Sequence, residues 1–168
     1  EDLANDVVAY FTESDRPFVV VSTPEQDFTS GVLQLVVIEG KVGEVKVQGA
    51  KWFKEQAYRD AVRLQPGDSI HKQRLDGDMD WLNRNPFREA SVVMEPGKTF
   101  GTSDVIVQAR DRFPWRFYTG YEDSGTAATD DNRWLAGVNW GNAFGAGHLL
   151  NYQFMTSSDF EQLRAHSA

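Results

Sequence analysis

A helix followed by two strands occurs twice along this chain, and that repetition constrains the fold more than any single motif does. In the first pass Leu3, Val7, Tyr10 and Phe11 share one face of a helix that Asp2 is placed to cap and Pro17 ends. Residues 18–22 then read as a β-branched strand, residues 23–31 as a turn and residues 32–38 as a second strand, with Glu39-Gly40-Lys41 as the exit. The second pass carries more of the scheme. Alternation over residues 44–48 predicts a short strand. Phe53, Ala57, Ala61 and Leu64 predict a helix ended by Pro66-Gly67. Ser69 is the candidate cap of a second helix whose face is Leu75, Met79 and Leu82. Gly77 weakens that helix by ~1 kcal/mol relative to Ala. Residues 87–94 predict a strand, residues 95–102 a loop containing Pro96-Gly97, and residues 104–109 another strand. The order is β-α-α-β-β, and the opening segment matches its last three elements, with Phe18 aligned on Phe87. The chain is therefore expected to open inside a first copy and to contain a complete second one.

After Phe113-Pro114-Trp115 the pattern changes. Residues 116–122, 133–140 and 148–156 are alternating runs dense in aromatic residues and glycine. Trp134, Ala136, Val138 and Trp140 face one way, against Arg133, Gly137 and Asn139. Leu150, Tyr152 and Phe154 likewise oppose Asn151 and Gln153. Apolar-out, polar-in strands with aromatic ends and tight turns are what a transmembrane barrel requires, and a soluble antiparallel sheet with one buried face is the other fold the pattern allows. Residues 142–147 form a short glycine-rich link and residues 123–132 a longer polar one. In a bacterial barrel the short turns face the periplasm, so residues 1–114 are expected on that side.

Several classes of function are excluded by composition. With 17 basic residues against 25 acidic, the net charge is −8, and no basic stripe is present to neutralise phosphates, so no nucleic-acid partner is expected. The absence of cysteine rules out disulfides and thiolate metal sites and is compatible with the periplasm. No stretch approaches the ~18 apolar residues of a membrane helix. Residues 1–6 carry no secretory signal, which would lie upstream. Asp76-Gly77-Asp78-Met79-Asp80 resembles the start of a calcium loop, but Trp81 stands where that loop needs glycine and Phe87 where it needs glutamate. His71, His148 and His166 lack metal-ligand spacing, and Gly141, Gly145 and Gly147 do not make a phosphate loop. Glu122 and Asp123 are adjacent and point opposite ways on a strand. No catalytic residue, metal or cofactor is expected, and the chain does not read as an enzyme.

Leu82-Asn83-Arg84-Asn85-Pro86-Phe87-Arg88, Asp111-Arg112-Phe113-Pro114, Gly120-Tyr121-Glu122 and Asn139-Trp140-Gly141-Asn142-Ala143-Phe144-Gly145 together resemble the two-partner secretion transporters, the hemolysin-activator and filamentous-haemagglutinin transporter family. The resemblance covers nearly the whole chain. It implies an α+β architecture in which POTRA repeats of β-α-α-β-β order precede antiparallel strands that open an outer-membrane β-barrel. Residues 1–40 would end the first POTRA domain, residues 43–113 would be the second, and residues 115–168 about three barrel strands. Three strands cannot close in lipid. If ordered, they are expected to pair with another chain or to fold onto the second POTRA domain.

The resemblance also implies a transport role, in which an unfolded secreted protein of hemolysin or adhesin type passes through the outer membrane of a Gram-negative cell without nucleotide. A three-stranded sheet leaves an edge with unpaired N–H and C=O groups that can accept an extended chain. In POTRA folds that edge is the second strand. Here this means Phe18, Val19, Val20, Val21 and Ser22 in the first copy, and Arg88, Glu89, Ala90, Ser91, Val92 and Val93 in the second. Phe87, Trp81 and Trp52 are the expected apolar groove beside it. Trp134, Ala136, Val138, Trp140, Leu150, Tyr152 and Phe154 would face lipid. An outer-membrane-protein assembly factor, an insertase of the same domain plan, is the alternative reading, and a soluble peptide-binding or scaffold module is another.

Overall fold

The computed structural model describes residues 2–26, 29, 31–126, 130–161 and 163–168. Helix α1 (Asp2–Glu13) ends where Asp15 takes φ +63°, and Pro17 forces the extended backbone that leads into strand β1 (Val19–Ser22). The side chain of Asp2, the expected cap, lies outside the described residues, as do residues 27, 28 and 30 of the expected turn. β1 pairs antiparallel with β2 (Val36–Glu39). This second strand is shorter than the expected 32–38, and Val32 and Leu33 lie exposed before it.

The second unit is a three-stranded sheet of order β3-β5-β4, with helices packed on one face. It comprises β3 (Lys41–Gln48), α2 (Glu55–Arg59), α3 (Lys72–Asn83), β4 (Arg88–Pro96) and β5 (Thr102–Asp111). β3 runs parallel to β5 and β4 antiparallel to it. Val42 and Val45 of β3, Ala90 of β4, and Val105, Val107 and Ala109 of β5 turn inward to meet Leu75, Met79 and Leu82 of α3. Leu82, with no exposed surface, contributes about 1.5–3 kcal/mol on the usual scale for a buried aliphatic side chain. A bulge between Val42 and Val45 is filled by Asp104, whose carboxylate accepts the Glu44 N–H at 2.9 Å and the Lys46 ammonium at 2.5 Å. The Lys46 hydrogen bond and the Glu44 amide hold Asp104 below the usual carboxylate range.

Two helical expectations are corrected. The face marked by Phe53, Ala57, Ala61 and Leu64 is not one helix, because α2 stops at Arg59. Beyond it the chain is irregular, with Val62 and Leu64 buried on either side of exposed Arg63. The spacing reported burial rather than helix. Nor does Ser69 cap α3. Its N-cap is His71, which makes no side-chain capping bond. Asp15, from the loop after α1, supplies the cap instead: its carboxylate accepts the Gln73 N–H at 2.7 Å and its carbonyl the Lys72 N–H at 3.3 Å.

The final sheet is a meander of order β6-β7-β8-β9: β6 (Trp115–Thr126), β7 (Asp130–Ala143), β8 (His148–Ser157) and β9 (Arg164–Ser167). It has four strands where about three were expected, and it is open. The long polar link expected over residues 123–132 is mostly ladder, because pairing continues to Thr126 opposite Asp130. The short link is as expected: Ala143 pairs with His148, and Phe144, Gly145 and Gly147 turn the chain at positive φ.

Candidate functional site

β4 is the outermost strand of its sheet, and among the described residues it pairs with β5 alone. Which of its backbone groups point outward follows from two bonds. Ala90 donates its N–H to Asn83 Oδ1 at 2.6 Å and accepts from Asn83 Nδ2 at 2.9 Å, so the Ala90 peptide groups face away from β5. Strand groups alternate sides, and Arg88, Val92 and Met94 therefore face outward too. The Arg88 N–H is already bonded to the Asn85 carbonyl at 3.1 Å, and Pro96 has no N–H to offer. The unused outward rungs are thus Val92 and Met94. Of the expected stretch from Arg88 to Val93, the first half is closed by Asn83 and Asn85, and the open part reaches one residue further along the strand.

The side chains beside this edge differ from the expected groove. Phe87 is buried at 4% exposure and belongs to the core. Trp81 is exposed on α3 and lies over the Arg88 guanidinium at 5.2 Å. Trp52 stands edge-on to Phe113 at 5.1 Å. These three rings therefore do not line a common groove. Arg88 is itself buried among Phe53, Tyr58 and Trp81, donates to the Leu82 carbonyl at 2.7 Å, and burial pushes its pKa down. Glu89, Ser91 and Val93 are exposed on the face away from the helices. In the first unit Val20 and Ser22 are exposed on β1, whose partner is β2, while Phe18, Val19 and Val21 are half-buried. A cleft lined by Phe18, Val20, Met94 and Gly101 runs between the two units.

Beneath the edge, the second unit grips the meander. Asn85, buried at 6% exposure, donates to the carbonyls of Gly141 at 2.6 Å and Gly147 at 3.1 Å. Its own Oδ1 accepts the Phe87 N–H at 3.1 Å. The Phe87 ring lies against Gly141 so closely that a methyl group there would collide with it. On the other flank Asn142 donates to the Trp52 carbonyl at 3.0 Å and accepts from Gly147. The loop that carries Trp52 is held from inside by Asp111, whose carboxylate accepts the N–H groups of Lys51, Trp52 and Phe53 and the Tyr58 hydroxyl. The β7–β8 turn is thereby fixed to the sheet that carries the edge.

Both larger units of the chain are similar to known proteins. Residues 40–109 match the POTRA family model, described as surface antigen variable number repeat. Residues 101–168 match the family described as haemolysin secretion/activation protein ShlB/FhaC/HecB. Over these two segments the chain is similar to both families. It is 27% identical to the outer membrane transporter CdiB of Dickeya dadantii over 84% of its own length and 26% of that protein's. Against CdiB-2 of Burkholderia pseudomallei the figures are 25%, 86% and 24%. Against the heme/hemopexin transporter protein HuxB of Haemophilus influenzae they are 21%, 94% and 28%. It thus spans about a quarter of the length of these relatives. The solved structure of CdiB from Escherichia coli superposes with a TM-score of 0.80 at 20% identity, over 95% of this chain and 30% of that one. BamA from Haemophilus ducreyi superposes with a TM-score of 0.58 at 17% identity, over 91% and 30%. These matches carry the fold: POTRA-like α+β units leading into the opening strands of a barrel. These relatives place the chain at the outer membrane, with a periplasmic segment.

The meander has two chemically distinct faces. Register places Trp115, Phe117 and Tyr121 of β6 beside Trp140, Val138 and Trp134 of β7, and these beside Leu150 and Tyr152 of β8, with Ala136 and Phe154 in the same rows. Rings cluster at both ends: Trp115 stacks on Trp140 at 4.7 Å and on Phe117 at 5.9 Å, and Tyr121 meets Trp134 at 5.0 Å. The opposite face carries Arg116, Glu122, Asn139, Asn151 and Gln153. There Tyr118 lies over Gly137 and donates to Gln153 Oε1 at 3.0 Å. Sequence reasoning assigned no role to Asn83, Asn85 or Asn142. The only available signal was their place inside the motifs that carry the family resemblance.

Proposed function

We propose that this chain is the junction of an outer-membrane transporter that receives an unfolded secreted protein in the periplasm by strand addition to β4. The observation that carries the reading is the pair of unused outward rungs, Val92 and Met94, on a sheet bonded directly to the barrel strands. Main-chain pairing there gives affinity for an extended segment with little demand on its sequence. Chain capture this close to the barrel needs no nucleotide, because the gain comes from the hydrogen bonds themselves. Residues 1–40 act as the end of a first POTRA domain, residues 43–113 as the second, and residues 115–168 as the start of the barrel. On the barrel strands Trp134, Ala136, Val138, Trp140, Leu150, Tyr152 and Phe154 face lipid. The ShlB/FhaC/HecB match over residues 101–168 favours secretion over the assembly of other barrels.

The test is binding of the unfolded N-terminal segment of the cognate secreted protein to the full-length transporter. Val92→Pro removes an outward N–H without touching the β5 ladder and is expected to weaken binding at least tenfold. Asn83→Ala frees the Ala90 rung and is expected to strengthen it. Unchanged affinity in both variants would move recognition away from this edge.

A further inference from the structure

We infer that the loop at residues 51–54 is a membrane foot, seating the second unit on the phospholipid of the periplasmic leaflet. The inference rests on the reading of residues 115–168 as barrel strands and adds a contact to it. Lys51, Trp52 and Lys54 are exposed, Trp52 at 49%. No salt bridge of the described residues involves either lysine. In a chain of net charge −8, two lysines outside the described salt bridges flank an exposed tryptophan.

Their position decides what they meet. The Asn142–Trp52 hydrogen bond holds the loop at the level of the β7–β8 turn, where the strands leave the membrane. Phe113, 54% exposed, stands edge-on to Trp52. At the same end of the strands the Trp115–Trp140 stack continues to Phe144, 80% exposed and 5.1 Å from Trp140. Gly141 and Asn142 divide the joint between them, Gly141 meeting the buried Phe87 and Asn142 the exposed loop. The Trp52 loop therefore continues the aromatic belt of the barrel's outer face. Aromatic rings with flanking lysines are the composition of a bilayer interface: the rings sit at headgroup depth and the ammonium groups reach anionic phosphates. The occupant this chemistry selects is a headgroup layer containing anionic phospholipid.

The experiment uses the full-length transporter in vesicles of phosphatidylethanolamine and phosphatidylglycerol, spin-labelled singly at Lys54→Cys, Gln65→Cys or Val138→Cys. Accessibility to oxygen and to a water-soluble nickel chelate is measured at each site. Gln65 lies by the Gly67 turn, which is bonded to Val42 at the far end of β3, about 20 Å from the joint at ~3.3 Å per residue. The foot requires an oxygen-to-nickel ratio at Lys54 several-fold above that at Gln65. It also requires that ratio to fall to the Gln65 level when Trp52→Ser is added or when phosphatidylglycerol is omitted. A Lys54 label as aqueous as Gln65 while Val138 reads as lipid would overturn the foot and leave the barrel reading intact. Low access to both reagents at Lys54 would also overturn it, because it would mean that protein covers the loop. An aqueous Val138 would sink the barrel reading itself.

Discussion

Tyr58 shows how a single buried group ties the second unit to pH. It has no exposed surface, and its hydroxyl donates to Asp111 at 3.3 Å. Burial first, then the nearby Asp111 charge and hydrogen bond, raise its pKa far above the ordinary 10.0. The folded state therefore keeps a proton that the unfolded chain releases near pH 10. This contribution is complete below that pH and is lost progressively as the pH climbs beyond it. The urea midpoint of the second unit should accordingly hold up to about pH 10 and fall as the pH is raised beyond it, and Tyr58→Phe should flatten the fall. The same variant should cost about 1 kcal/mol at neutral pH through the lost hydrogen bond. An equally steep alkaline loss in Tyr58→Phe would assign the effect to another group. None of this was visible in the sequence. Tyr58 lies between positions marked as a helix face, and only the fold brings Asp111 to it.

Among the elements, α3 is the instructive case. Its buried face, Leu75, Met79 and Leu82, could be read from spacing alone, because helical burial repeats within one turn. Its start could not, because the capping carboxylate comes from Asp15 in the other unit. Asp15→Ala should destabilise α3 by about 1 kcal/mol, as the loss of an N-cap does elsewhere. Hydrogen exchange at Gln73 should speed up while the Leu82 amide is little affected. Unchanged exchange at Gln73 would show that solvent replaces the cap at no cost. The strands were more legible. In β7 the alternation of Trp134, Ala136, Val138 and Trp140 against Arg133, Gly137 and Asn139 matches the observed register, because period-two patterning depends only on neighbours along the chain. The narrowing of the β4 edge to Val92 and Met94 was hidden for the opposite reason. Asn83 acts through its side chain on a strand seven residues away, and spacing carries no trace of that.

For the whole molecule, Gly141 is the point at which two sheets become one body. Gly141→Val would drive a branched side chain into the Phe87 ring and disturb the Asn85 hydrogen bonds around it. Overpacking of this kind costs about 1–3 kcal/mol. Spin-label distances between the second unit and β8 should broaden from one narrow population to several. A single narrow distance in Gly141→Val would mean the joint is held elsewhere. One further consequence comes from the Pro-Phe corners. The carbonyl of Phe18 accepts the Gly40 N–H at 2.7 Å, as that of Phe87 accepts the Arg112 N–H at 3.0 Å. Each corner also touches the next unit along the chain, Phe18 the core of the second unit and Phe87 the turn of the meander. A unit built in this way carries both halves of its coupling. An in-frame duplication or deletion of the segment between the corners would leave every junction supplied, so the number of units can change over evolutionary time without a new interface being invented.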